Sequence, residues 1–386
     1  MVGEAYDHMM ALVVLGAIFI SSVVVVPSLS YVNLLYLDQQ QLQNTALSVM
    51  KAILFDEGYP ANWGSMHGIN LFNENDVKRF GLASLNDPSL YLLDPDKVQR
   101  LAFNPMGSMS YSKARDLLGL TGYDFSIVLR PQFDVDADVT ISSDKKSINF
   151  NVNVSRYGGQ PIPNAVVHAT IVYSLKASGD AFGNGAVNME RTTDALGKCS
   201  GTQSISGPPG SEITDVAVIF RVTVADRMTM VVSKQSRPNP DDAAKIAIVG
   251  DSIIGRIDES LPGSMDARWI CSVMMYNFET SISLFNRTAP PWGEADLKKG
   301  DNMWNMTIPG LSLTEPSILI LTIRTESEDQ GGRTIVLLIG PFTMWNQGGV
   351  IEMSSGPVSS GASVTIDRDV IIAGMAYIAE LRLWKT

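Results

Sequence analysis

The chain has 386 residues, 45% of them hydrophobic and 18% charged, enough apolar material for two to three domain cores and too little charge for disorder. Its 29 basic and 40 acidic residues leave a net charge of −11, which argues against a nucleic-acid partner, because phosphate neutralisation needs a basic face. Two cysteines and three histidines cannot build a zinc finger, an iron–sulfur cluster or a disulfide-dense scaffold, and no cofactor is expected.

In chain order the first element is the most informative. Met9 to Val26, MMALVVLGAIFISSVVVV, carries no charge, and its 18 residues make ~27 Å of helix, close to the thickness of a hydrocarbon core. Before it stands MVGEAYDH, with Glu4 and Asp7 but no basic residue, unlike the n-region of a cleavable secretory signal. In a helical fibre a carboxylate there could meet a neighbouring subunit's N-terminal amine; otherwise Glu4 and Asp7 simply lie in interfacial water. Ala11, Gly16, Ala17, Ser21 and Ser22 are small residues of the kind that let helices approach closely in an apolar phase. An arginine at Val24 should therefore abolish any polymer.

Pro27 removes one hydrogen bond and should kink the rod rather than end it. Beyond it, Val32, Leu35, Leu42, Ala46, Met50 and Leu54 recur at helical spacing while Gln39 to Gln41, Gln43 and Asn44 make the opposite face polar. The prediction is one long helix over 1–55, apolar below and amphipathic above.

Residues 56–131 read as a small α+β head. The loop DEGYPANWGS is followed by three short helical patterns, with Asn86, Asp94 and Ser108 or Ser112 as candidate caps, and by a strand from Tyr123 to Pro131. Residues 132–240 hold about seven short period-2 segments separated by turns, the pattern of an immunoglobulin-like sandwich without the Cys…Trp…Cys spacing of antibody domains. RPNPDDAAK reads as the linker out of it. Residues 241–386 form a further β-rich domain closing on a strand pair turned near Ala373 and Gly374. The fold class is α+β, mainly β: a long apolar helix, a small head and two sandwich-like domains.

No nucleophile elbow, zinc-protease helix, phosphate loop or dinucleotide fingerprint is present, and His8, His67 and His168 lie in separate regions. An enzyme is not expected. Asp134, Asp136 and Asp138 alternate on one strand face, a weak Ca²⁺ candidate against the plainer reading of a solvated face. Cys199 and Cys271 could bridge two domains outside the cell or be small buried residues of separate cores. Asn153, Asn286 and Asn305 begin glycosylation sequons, about as many as chance supplies in this composition; Asn153 stands in an alternating Asn149, Asn151, Asn153 run that should face water.

The long helix with its mid-helix proline, followed by FDEGYPANWGS, FGLAS, YLLDPDKVQRL and LLGLTGYDFSIVL, resembles archaeal pilin-like surface proteins of the type IV filament superfamily; the closing DRDVIIAGMAYIAELRLW is similar to their terminal strands. The resemblance implies a membrane-inserted precursor whose apolar helix later packs into a filament core, with β-rich heads outside. Family precursors carry a basic leader ending at glycine; here only MVG precedes Glu4, with Gly3 at the matching position. The expected role is thus a cell-surface structural subunit that partners itself through the helix, the membrane before assembly, and surface ligands or other cells. The alternative is a single-span adhesin or envelope protein that uses the helix only as an anchor.

Overall fold

The computed structural model describes residues 2–65, 72–84, 91–101, 107–176, 182–233, 245–250, 252–256, 267–276, 281–286, 297–298, 304–307, 318–325, 333–339, 349–356 and 362–386. The fold is mainly β, with several sheets and one long N-terminal helix. Helix α1, Val2–Phe55, runs unbroken through Pro27. Its upper part buries Leu42, Ala46, Val49, Met50, Ile53 and Leu54, a stripe at i, i+4, i+7, i+8, i+11 and i+12 that makes one face apolar.

The three helical patterns of the head shrink to a single 3₁₀ turn, Glu74–Asp76, and two short helices, α2 (Pro95–Val98) and α3 (Tyr111–Leu117). Asp94 caps α2, its side chain accepting from the backbone N–H groups of Asp96 and Lys97, with Pro95 at the first helical position. The cap of α3 is Ser110, which corrects the expectation of Ser108 or Ser112. Asn86 and His67 lie outside the described residues.

Strands β1 (Leu92–Leu93) and β2 (Tyr123–Pro131) open the head's sheet, and the chain then leaves it. Seven strands come next: β3 (Phe133–Ile141), β4 (Ser147–Arg156), β5 (Val166–Lys176), β6 (Phe182–Thr192), β7 (Lys198–Ser204), β8 (Glu212–Val224) and β9 (Arg227–Ser233). They form two sheets, β3-β4-β7 and β6-β5-β8-β9, over one shared core. Phe150 and Phe220 meet edge-on at its centre, ring centroids 5.3 Å apart. The fourth strand pairs with the third, whereas in a constant-type immunoglobulin domain it lies beside the fifth.

The second β unit repeats this order. Its strands are β10 (Lys245–Val249), β11 (Ser252–Arg256), β12 (Ala267–Tyr276), β13 (Ser281–Asn286), β14 (Leu297–Lys298), β15 (Trp304–Thr307), β16 (Ile318–Thr325) and β17 (Arg333–Ile339). The sheets are β10-β11-β15 and β13-β12-β16-β17, with the short β14 added beside β12. Thr170, Val172, Ser174, Ala217 and Ile219 point away from the first sandwich's core by strand alternation, yet all are buried. The second unit covers this face: Asn184 of β6 donates to Ser272 Oγ at 2.7 Å and accepts from Thr322 Oγ1 at 3.0 Å.

The last three strands, β18 (Ile351–Ser354), β19 (Ser363–Ile372) and β20 (Met375–Lys385), return to the head. Its sheet is β1-β19-β20-β2-β18, and the whole length of β2 pairs with β20, from Tyr123↔Lys385 to Pro131↔Tyr377. This corrects the expected division into a head over 56–131 and a C-terminal domain over 241–386. The head is discontinuous, and both β units are inserted between β2 and β18. Strand alternation shows which face of a segment is buried; it carries no information on which distant strand will pair with it. The boundary at 240/241 and the RPNPDDAAK linker lie almost wholly outside the described residues. Ala373 (φ +48°) and Gly374 (φ +75°) make the two-residue turn between β19 and β20 with positive φ at both positions, as a type I′ hairpin requires.

Candidate functional site

Between Tyr6 and Val23 α1 is long and apolar enough to cross a membrane, and none of that span is buried. Leu12, Leu15, Ile18, Phe19 and Ile20 are all well exposed, distributed around the helix rather than along one stripe. A surface of that size and chemistry has no stable place in water. Of the expected packing residues, Asp7, Ala11, Ala17 and Ser21 lie exposed on the span and Gly16 is partly covered. Ser22 returns its hydroxyl to the carbonyl of Phe19 at 2.8 Å, which satisfies it inside an apolar environment. Glu4, Val24 and Pro27 take their places in the helical backbone; their side chains are outside the described part of the structure.

The upper end of this rod is anchored by the head. Trp63, fully buried, rests on Phe72 and Phe80 and donates Nε1–H to the Gly81 carbonyl at 2.9 Å. Gly64 and Gly81 are required by close approach: a Cβ would stand 2.3 Å from the Lys97 nitrogen at the first and 2.1 Å from the Asp56 carbonyl oxygen at the second. So the GYPANWG and FGLAS segments are legible as loops that lie directly on neighbouring backbone.

Beneath them is an ionic cluster that sequence reasoning missed. Lys97 is buried, donates to the Ala83 carbonyl at 2.8 Å and pairs with Asp94 at 3.4 Å. Burial lowers its pKa, with Asp94 opposing. Arg100 donates Nε–H to Gly64 and a second N–H to Gly107, and lies 4.9 Å over the Phe72 ring. Burial brings its pKa down to about 10, with Asp96 opposing. Asp96 is pushed up to about 7 by burial first and Asp94 second. The available signal was the DPDKVQR run itself, four charges over seven residues in a segment too short for an amphipathic helix to expose them all.

The other expected sites do not converge. Asp134, Asp136 and Asp138 are exposed on β3, opposite Ser155, Asn153 and Asn151, and successive same-face residues on a strand stand ~7 Å apart. Among the described residues no group of three or more acidic, His or Cys side chains could hold a metal ion, so the Ca²⁺ candidate is set aside. Cys199 on β7 is half-buried, Cys271 on β12 is buried, and no disulfide joins them, which corrects the candidate bridge. Burial pushes the Cys199 thiol up, away from reactivity. Asn153 is partly exposed on β4; Asn286 and Asn305 lie on β13 and β15, and their side chains are outside the described part of the structure. His168 faces Glu190 at 3.5 Å, and its pKa is lowered by burial and then by Arg221.

No family model matches the chain, and no curated protein matches it. Among solved structures it is similar to red sea bream transglutaminase, at 9% identity and a TM-score of 0.18, over 61% of this chain and 34% of that one. It is also similar to the N-terminal CBM22-1–CBM22-2 tandem domain of Xyn10C from Paenibacillus barcinonensis, at 11% identity and a TM-score of 0.10, over 69% and 94% of the two chains. The chain thus spans about a third of the transglutaminase's length.

Proposed function

We propose that this chain is a non-enzymatic structural subunit of an extracellular, archaeal pilus-like filament, polymerising through α1 with its β-rich domains outside. The observation that carries this reading is the continuity of α1: one helix holds an apolar span of which nothing is buried, Tyr6–Val23, and an upper part whose apolar face is rooted in the head's core. Rigid attachment to a folded head lets lateral packing of the apolar spans array the heads at fixed positions. The head's likeness in sequence to pilin-like surface proteins supports the same reading.

The second reading, a single-span anchored adhesin or envelope protein, is favoured by the length of the span, which suits one bilayer crossing. Electron microscopy and sedimentation of the full chain as detergent is withdrawn separate the two. Filaments with projecting heads are expected. Protein that stays monomeric in every detergent and lipid condition would leave the anchor reading standing and end the filament one.

A further inference from the structure

The two β units leave the head and rejoin it at a single place. Leu129 of β2 lies opposite Ile351 of β18, and two residues further out a Cβ on Gly349 would stand 3.0 Å from Pro131 Cγ. The chain therefore departs at Pro131 and returns at Gly349 side by side. The buried residues of the head's core run from Leu42 to Leu129 and from Ile351 to Leu383, with none from between. The core of the first β unit runs from Phe133 to Val222 and draws on no residue of the head.

The two β units are bound to each other more closely. Thr170, Val172, Ser174, Ala217 and Ile219 are buried on the face that turns away from the first unit's core. On the sheet that covers them, Ser272 of β12 and Thr322 of β16 stand directly opposite each other and are buried as well. The side-chain amide of Asn184 reaches both, donating to Ser272 Oγ and accepting from Thr322 Oγ1. A covered amide keeps these partners in one alignment of the two sheets and loses them in any other, so Asn184 fixes how the units stack. Contacts with the head are of another kind. Arg227 pairs with Asp369 at 2.8 Å with both side chains largely in water, and Tyr157, whose ring lies 4.1 Å from the Arg130 guanidinium, is exposed. Exposed pairs of this sort hold little. The backbone N–H of Gly250 adds one bond, to Asp96 Oδ2 at 2.9 Å.

We propose that residues 132–348 are one self-contained module, which folds as a unit and is required neither for the fold of the head nor for polymerisation, so that assembly belongs to α1 and the head alone. The statement about assembly rests on the filament reading above; the statement about folding does not. When the module opens, the head keeps every residue of its core, and the entropy of closing the open loop between Pro131 and Gly349 grows only slowly with its length. The first β unit is not independent of the second, because alone it would turn Val172 and Ile219 to water.

Hydrogen–deuterium exchange of the unmodified full chain in rising, sub-denaturing denaturant tests the folding statement. β4, β5 and β8 are expected to open together with β12 and β16, and β2 with β20 in a separate event. One common event for all of them overturns the proposal, and separate events for the two β units overturn the single module. Val218→Asp sets a carboxyl in the first unit's core. Protection should then fall more than about tenfold in β4, β5, β8, β12 and β16 and less than about threefold in β2 and β20. A comparable fall in β2 and β20 overturns the proposal. On detergent withdrawal the same variant should form filaments as the unmodified chain does. If the unmodified chain forms them and the variant, its head still protected, does not, the module takes part in assembly and the proposal falls. If the unmodified chain forms none, the filament reading fails, and the exchange data still decide whether module and head fold separately.

Discussion

Between Tyr6 and Val23 the side chains of α1 are exposed on all sides, whereas between Leu42 and Leu54 one face of the same helix lies in the core of the head. The lower part is apolar all round and so suits surroundings that are apolar on every side; the upper part is apolar on one stripe and suits a boundary between core and water. One backbone thus serves two environments, and the difference lies wholly in how the apolar residues are distributed around the axis. No residue of the lower span is buried within the subunit, whereas the upper part buries its stripe in the head's core.

That contrast can be broken most sharply from below. Ile18→Arg places a charge in the middle of the exposed span, at about 2.5–3.5 kcal/mol for insertion into a bilayer. Membrane flotation and filament formation should both be lost while the melting of the head is unchanged; a head that melts earlier would show that the two parts are not independent. Above, the effect falls on the fold of the subunit instead. Ile53→Ala empties a fully buried site and should cost about 2–5 kcal/mol in chemical denaturation of the subunit. The control Ile18→Ala should change that stability by less than ~0.5 kcal/mol. Equal losses for the two would contradict the division.

The smallest effect belongs to the junction. Lys385, at the end of β20, pairs with Asp38 of α1 at 2.9 Å, both side chains largely in water. Lys385→Met should alter stability by no more than about 1 kcal/mol, and the difference should vanish as salt is raised. A larger, salt-independent loss would mean that the ion pair, rather than the buried stripe, fastens helix to sheet.

Much of this plan is legible in the residues. Leu42, Ala46, Met50 and Leu54 announce the buried face by their spacing, Ala373-Gly374 marks its hairpin, and seven alternating segments after Gln132 yield seven strands. The cluster of Asp94, Asp96, Lys97 and Arg100 is not legible, because charged residues are read as solvent-facing unless something known to cover them is at hand. Here the cover comes from loops at 58–64 and 81–83 and from a hairpin some 150 residues away. The Asp triplet shows the opposite case: alternation correctly puts three carboxylates on one face, but strand pitch keeps them too far apart to share an ion.

Periodicity and composition by themselves determine the long helix, its change of character along its length, and the β nature of the chain beyond it, since all of these depend on contacts a few residues apart. Only the tertiary structure decides that β18 to β20 desert the C-terminal block to finish the head's sheet, that the two β units share one strand order, and that Asp96 meets Gly250. The first and last of these rest on pairings between residues more than a hundred positions apart, and the shared strand order on pairings between strands that are not neighbours in the chain. A local pattern can state that a strand has a face to bury, but the partner is chosen by the competition among all the faces of the folded chain.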